Sequence, residues 1–278
     1  KVFAWMPVLA FDLDRSIARV EAWSAGGAAP RAAPQTYRRI SPFDPEGRRQ
    51  ILDLYEDLAR AAPFDGLLFH DDATLSDFED ASAPALAAYA RAGLPASIAA
   101  IRADPALMRR WTRLKTDTLI AFTQKLAETA RRYRTPLMTA RNIYARPVLE
   151  PASEAWFAQQ LDGFLEAYDE TVVMAMPWLE GVPRDDADAW LRRLVAAVAA
   201  RPHGLERTLF ELQAVDWRQP AGSPARRISA AVLGHQMRLL SRLGAVNFGY
   251  YPDDFLADQP AQTRLHRDFS LQSYAYRP

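Results

Sequence analysis

An apolar segment at residues 67–72 runs Leu-Leu-Phe-His-Asp-Asp and stops on two adjacent carboxylates. Carboxyl groups set close together can move protons, because like charge or an apolar setting raises the pKa of one of them into a useful range. Similar endings recur along the chain. Trp5 is followed by Asp12 and Asp14, Tyr37 falls in a second short segment, and Arg141, Asn142 and Tyr144 close a fourth. Trp178 and Glu180 follow a fifth, and Glu211, Gln213, Asp216 and Trp217 a sixth. Tyr250, Tyr251, Asp253 and Asp254 end a seventh. Acids and amides partner hydroxyl groups, while Trp and Tyr offer flat faces for the C–H side of a sugar ring. Cleaving a glycosidic bond needs a proton donor at the leaving oxygen and a nucleophile or base on the other face of the ring. The candidate catalytic residues are therefore Asp71, Asp72 and Glu211. The candidate substrate-binding residues are Trp5, Tyr37, His70, Trp178, Tyr250 and Asp254.

Each candidate also has a structural reading. Successive strand residues face opposite sides, so one aspartate of the pair is expected to point into the site while the other caps a helix or pairs with an arginine. Glu211 lies between Phe210 and Leu212 and fits a salt bridge as well as a catalytic role. Trp178 fits the core, and Trp111, Trp156 and Trp190 fall in helical stretches where packing is expected. His70 reads as an orienting partner for a carboxylate. Its fellows His203, His235 and His266 are scattered, with no H-x-x-x-H or H-E-x-x-H pattern, so neither a metal nor another cofactor is expected. No G-x-S-x-G elbow, G-x-G-x-x-G fingerprint or P-loop occurs.

The elements that must position these residues alternate. Apolar strands are expected at 2–8, 36–41, 66–71, 136–142, 171–176, 207–213, 245–250 and 270–274. Between them run helical signals. Asp44-Pro45 opens a helix striped by Ile51, Leu54 and Leu58, and Asp104-Pro105 opens one carrying Met108, Trp111, Leu119, Phe122 and Leu126. Ser153 caps another with Phe157, Leu161, Phe164 and Leu165. Asp185 or Asp186 opens the helix of Trp190, and Ser223-Pro224 that of Ile228, Val232, Leu239 and Leu243. Residues 14–36 and 73–103 read as long loops, the second with short helices. Strands separated by helices imply a parallel sheet. Seven or eight such units favour an α/β fold of the (β/α)8 TIM-like barrel type, one domain with long strand-to-helix loops. A doubly wound sheet is the second choice. In a barrel the strand C-termini form the active face.

Composition narrows the class. The 278 residues are 49% hydrophobic, which suits one large core. Lys+Arg and Asp+Glu are both 34, so a nucleic-acid partner is not expected. There is no cysteine, which excludes disulfides and thiolate chemistry. No apolar run approaches the ~20 residues of a membrane span. The start at Lys1 reads as an excised domain. An aldolase would want a strand-end lysine, yet after Lys1 the only lysines are Lys115 and Lys125, both in a helical stretch.

Five phrases, in order, resemble one family: Ala-Trp-Met-Pro-Val-Leu-Ala-Phe-Asp (4–12), Gly-Leu-Leu-Phe-His-Asp-Asp (66–72), Met-Pro-Trp (176–178), Phe-Glu-Leu-Gln-Ala-Val-Asp-Trp-Arg (210–218) and Gly-Tyr-Tyr-Pro-Asp-Asp-Phe (249–255). The chain is similar along its whole length to the C-terminal domain of the biofilm-polysaccharide deacetylase family PgaB, called BpsB in Bordetella. The resemblance implies a periplasmic, outer-membrane-associated protein acting on poly-β-1,6-N-acetyl-D-glucosamine (PNAG). It implies a separate N-terminal deacetylase domain in the full-length protein, and an outer-membrane export porin as a further partner. Residues 1–278 would be the glycoside hydrolase and polymer-binding barrel. The family's acid pair falls on Asp71 and Asp72, and its aromatic and acidic binding positions on Tyr37, Trp178 and Glu211. Tyr250 is carried by its place at a strand end. Two functions are implied: an endo-β-1,6-glucosaminidase for partially de-N-acetylated polymer, or a non-catalytic module that holds polymer for deacetylation and export. Asp12, Asp14, Glu180, Asp216, Asp253 and Asp254 are expected to make the binding groove acidic, to suit cationic glucosamine units.

Overall fold

The structure, a computed structural model, describes residues 1–25, 31, 32, 38–254, 256, 260, 261 and 265. In chain order the elements are β1 (Phe3–Met6), β2 (Glu21–Ala22), β3 (Arg31–Ala32), α1 (Pro45–Ala61), β4 (Gly66–Phe69), α2 (Ala83–Arg91), α3 (Ile98–Arg102), α4 (Pro105–Arg131) and β5 (Met138–Tyr144). They continue as α5 (Ala145–Leu149), α6 (Glu154–Phe157), α7 (Leu161–Ala167), β6 (Glu170–Ala175), α8 (Ala187–Ala199), β7 (Thr208–Gln213), α9 (Ala230–Arg242) and β8 (Asn247–Tyr251). Two compact units result. One holds Lys1–Asn142 with Glu150–Asp169; the other holds Ile143–Leu149 and the chain from Glu170 onward. The expected strand at 36–41 is described from residue 38 onward and reduces there to a single antiparallel bridge between Ile40 and Arg19. Tyr37 and the expected strand at 270–274 lie outside the described residues.

In the first unit β1, β4 and β5 run parallel, with Phe3 opposite Gly66 and Phe69 opposite Arg141. A Cβ at Gly66 would run into the Phe3 ring, so this position has no room for a side chain. The helices behind the strands begin where the sequence places them. The Asp44 carboxylate accepts from the amides of Glu46 and Gly47, both at 2.9 Å, and Pro45 has no N–H to leave unpaired. Asp104 caps α4 in the same way. α1 buries Ile51, Tyr55 and Ala59, spaced by four, and leaves Leu54 exposed. The expected stripe was thus rotated by one residue, because the Tyr55 hydroxyl finds a buried acceptor in the Pro7 carbonyl at 2.8 Å.

The sequence of 153–165 reads as one helix, but the chain breaks it. Ala158 takes a left-handed φ of 50°, ending α6, and the Gln160 side chain caps the start of α7 at the Gly163 amide. In the second unit β6, β7 and β8 run parallel, with Val172 opposite Leu209 and Leu209 opposite Asn247. α8 buries Trp190, Leu191, Leu194, Val195 and Val198. Ser223-Pro224 opens only a single 3₁₀ turn, and α9 starts later, capped by Ser229.

The loop that follows β4 is held by a buried polar cluster. Arg39 is 2% exposed and pairs with Glu79 at 2.9 Å, while a second nitrogen of its guanidinium donates to the Thr74 carbonyl. The Asp80 carboxylate accepts from the hydroxyls of Ser41 (2.6 Å) and Ser82 (3.0 Å) and from the amides of Glu21 (3.1 Å) and Ser82 (2.8 Å). From α4, the Lys115 ammonium donates to the carbonyls of Ser76 (2.5 Å) and Glu79 (3.0 Å) and lies 3.6 Å from the centre of the Trp111 ring. Burial of this kind is tolerable only when each polar group has partners.

Burial lowers the Lys115 pKa to about 7, against the opposing pull of Glu79, Asp77 and Asp80. An unfolded lysine keeps its proton up to about 10.5. Between those values the unfolded chain binds a proton that the folded chain does not, so Lys115 favours folding more as pH rises through that window. Lys115→Met strands two carbonyls and is expected to lower the unfolding free energy by about 3 kcal/mol. The deficit against wild type should widen from pH 7 to pH 10 in urea titrations; a deficit that shrinks in that range contradicts this account.

Candidate active site

At the ends of β1 and β4, four side chains are set against one another. β4 stops at Phe69, and the chain turns through His70, Asp71 and Asp72. The two aspartates have different surroundings. Asp72 is 2% exposed, and its Oδ2 accepts from the amides of Leu9 and Ala10, each at 2.6 Å. Val8 N–H reaches both of its oxygens, at 3.0 and 3.1 Å. Asp72 therefore serves as an anchor for the chain leaving β1. It caps neither a helix nor an arginine, which are the two structural roles expected of the inner aspartate. The Asp71 side chain remains 18% exposed.

His70 links the two acids. Its Nδ1 lies 2.9 Å from Asp71 Oδ1 and 3.5 Å from Asp72 Oδ1. The Asp72 amide nitrogen is also 3.2 Å from Nδ1, but one nitrogen does not accept from an amide while donating to a carboxylate. The shorter, charge-assisted contact to Asp71 prevails. Burial works to lower the His70 pKa, and the hydrogen bonds and charges of Asp71 and Asp72 outweigh it, holding the ring at about 9. The ring is therefore protonated at neutral pH. Trp5 packs on it with centroids 4.7 Å apart and stays 42% exposed. Behind the turn, Arg141 is fully buried and donates to the Ala73 carbonyl (3.0 Å) and the Tyr168 hydroxyl (2.9 Å), with its guanidinium 4.4 Å from the Phe164 ring centre. Arg141 is thus a support of the 70–73 turn.

The second unit carries its own group. Glu211 is half-buried on β7, on the opposite side from the buried Phe210 and Leu212. Its neighbours across the strands are Met174 and Gly249. A Cβ at Gly249 would meet nothing within 4 Å, so there is open space beside Glu211. Tyr251 shares this side, through its partner Gln213, and stacks on Trp217 with centroids 6.2 Å apart. Tyr250 faces the other way, opposite Leu212, with its hydroxyl 3.4 Å from Asp253. Sequence reading singled out Tyr250; the parity of β8 relative to Glu211 points to Tyr251.

Trp178 is 3% exposed and its indole N–H is buried with no acceptor among the described residues, so it offers no open stacking face. The following residue is tied down by Gln213, whose Oε1 accepts from the Leu179 amide at 3.1 Å. Asp254 is exposed and lines a cavity of roughly 510 Å³ with Arg226 and Arg227. Asp216 is paired with Arg218 through two contacts of 2.9 Å, and this pairing holds its carboxyl below the usual range. Its charge is therefore balanced locally and adds little to an acidic groove. Among the described residues no group of three or more His, Asp or Glu is gathered as metal ligands, and no helix is long and apolar enough to cross a membrane.

Residues 1–251 match the profile of hypothetical glycosyl hydrolase family 13. The chain belongs to this family. It is 46% identical over 274 residues to the poly-beta-1,6-N-acetyl-D-glucosamine N-deacetylase of Escherichia coli K12, a match covering 98% of this chain and 40% of that protein. The chain thus spans well under half the length of this curated relative. The PgaB (BpsB) glycoside hydrolase domain of Bordetella bronchiseptica superposes with a TM-score of 0.87 at 46% identity, over 97% of this chain and 75% of that one. A β-galactosidase of the haloarchaeon Halorubrum lacusprofundi shares the fold alone, with a TM-score of 0.55 at 14% identity over 90% of this chain and 42% of that one. The fold is accordingly an α/β TIM-like fold of glycosidase type, as expected from the alternating strand and helix signals.

The two aspartates should separate in mutagenesis. Asp72→Ala strands the amides of residues 8–10 and is expected to cost about 3 kcal/mol of stability. Asp71→Asn removes one carboxylate from the His70 ring but strands no backbone amide, and should cost less than Asp72→Ala. Chemical denaturation of both variants checks this, and equal losses would contradict the assigned division of roles.

Proposed function

We propose that this chain is an endo-acting glycoside hydrolase that binds and cleaves partially de-N-acetylated poly-β-1,6-N-acetyl-D-glucosamine, with Asp71 and His70 together as the proton donor. The observation that carries the reading is the asymmetry of the acid pair: Asp72 is enclosed by backbone amides, whereas Asp71 keeps 18% of its side chain in contact with solvent and is bonded to a protonated ring. The family supports the glycosidase class, and the relative named for the polymer supports the choice of substrate.

The pair holds one exchangeable proton, on the ring in the resting site. A sugar seated over Trp5 displaces water from Asp71 and disfavours its charge. The proton then passes to Asp71, whose carboxyl gives it to the glycosidic oxygen, leaving a carboxylate beside a neutral imidazole as the C1–O bond breaks. Attack at C1 falls to water activated by Glu211, or to the oxygen of the substrate's own 2-acetamido group. Glu211→Gln tests the choice: loss of cleavage comparable to that of Asp71→Asn assigns Glu211, and retained cleavage at N-acetylated units assigns the acetamido group.

In its full-length setting the domain would work beside an N-terminal deacetylase domain, in the periplasm and associated with the outer membrane, passing polymer towards an export porin. Purified chain incubated with the polymer should release short oligosaccharides, detected by mass spectrometry. Asp71→Asn should abolish release, by at least about 100-fold, and retain binding. Intact polymer with every protein, binding retained, would make this a polysaccharide-holding module with no hydrolytic role.

The pH profile is a separate check. Because the donor must hold its proton, kcat/KM should be sustained at neutral pH and fall as pH rises through about 9, the value set for His70. His70→Asn should move that alkaline limb to lower pH. An unchanged limb would remove His70 from the proton-donating pair.

A further inference from the structure

Two loops of the first unit, far apart in sequence, bring an aromatic pair together on the surface. The chain after β1 forms an antiparallel bridge at Ala22 with Glu79, which lies in the loop after β4. Trp23 N–H donates to the Phe78 carbonyl at 2.8 Å, and Ala81 N–H to the Glu21 carbonyl at 2.8 Å. The rings of Trp23 and Phe78 are nearly parallel, at 13°, with centroids 6.4 Å apart. Arg102 lies over the Phe78 ring, 4.0 Å from its centre, and 5.8 Å from that of Trp23. The guanidinium is itself fixed by Asp77, through the carboxylate at 2.6 Å and through the backbone carbonyl.

With Arg102 and Trp23 packed against it, Phe78 is still 41% exposed, so part of the ring pair stays in contact with solvent. An exposed apolar ring is commonplace. A pair of parallel rings, locked by a strand bridge and backed by a salt-bridged guanidinium, has a rigid flat surface with little freedom to lose on binding. Such a surface suits the C–H face of a pyranose. Phe78 is seven residues beyond Asp71, which places it within at most about 25 Å of the acid pair along the chain.

We propose that Trp23 and Phe78 form a distal subsite that stacks a hexosamine unit of the polymer several residues away from the cleaved bond. The inference rests on the glycosidase reading for its ligand and reaches beyond it in naming a site remote from Asp71. A long chain engages this platform and the acid pair together, while a short oligosaccharide seated at Asp71 does not reach it.

The test compares wild type, Trp23→Ala, Phe78→Ala and Phe78→Tyr on the long, partially de-N-acetylated polymer and on short oligosaccharides of the same linkage. Melting temperatures are recorded alongside, and polymer binding is measured by calorimetry. The Ala variants are expected to raise KM for polymer about five- to tenfold, with kcat and short-substrate kinetics unchanged. Phe78→Tyr, which keeps the platform, should behave as wild type and thereby separates stacking from loop collapse. Unchanged polymer KM and affinity in both Ala variants overturns the proposal, and so does an equal loss on short substrates. If no protein cleaves either substrate, the glycosidase reading fails; the subsite then stands or falls on whether the Ala variants lose affinity for polymer that wild type binds.

Discussion

The acid site depends on the Asp72 carboxylate and the three amides it gathers from residues 8–10. β1 and β4 are parallel neighbours, and parallel strands have no tight turn to join their ends. Without a tie, the chain leaving each strand would be free to move relative to the other. Asp72 supplies that tie at the level where the strands stop. With Asp72 enclosed, Asp71 is the acid of this turn that keeps contact with solvent, and His70 is brought against Trp5. Orientation of the acid is thus a consequence of a structural bond made by the residue beside it.

Charge is the second constraint. The chain is neutral overall, but its buried charges are matched one by one: Arg39 with Glu79, Asp80 with hydroxyls and amides, Lys115 with carbonyls and an indole face. Each pair fixes a stretch of loop between residues 73 and 82, a segment whose Ala, Ser and Pro content suggests little order by itself. The same matching removes acids from solvent. Asp216 ends a promising Asp-Trp phrase, yet Arg218 satisfies it. Asp71 differs from these carboxylates in lying, partly buried, against a protonated histidine.

Several features were legible because they are local. Asp44-Pro45 and Asp104-Pro105 marked helix starts, since capping depends on residues within one turn. Strand segments showed as short apolar runs, and their alternation with helices sufficed for the fold class. Misjudged details depended on neighbours distant in sequence. Tyr55 displaced Leu54 from the buried stripe of α1 because a carbonyl at Pro7 was there to meet it. Ala158 broke an amphipathic helix at a residue whose type favours helix. Trp178, carried as a binding residue with the core as its alternative, is almost wholly enclosed. Tyr250 was chosen over Tyr251, although only the register of β8 against β7 tells which ring shares a side with Glu211.

Residue types and their order along the chain determined the repertoire: carboxylates, aromatic rings and a histidine at the ends of parallel strands, in phrases specific enough to place the family. They also excluded thiol chemistry outright. What only the tertiary structure decided was the assignment of individuals within that repertoire, above all which aspartate of 71 and 72 is enclosed and which is open. The physical reason is that a carboxyl group's role follows from its partners and its access to water, and Val8, Leu9 and Ala10, which take up Asp72, lie more than sixty residues away from it in the chain.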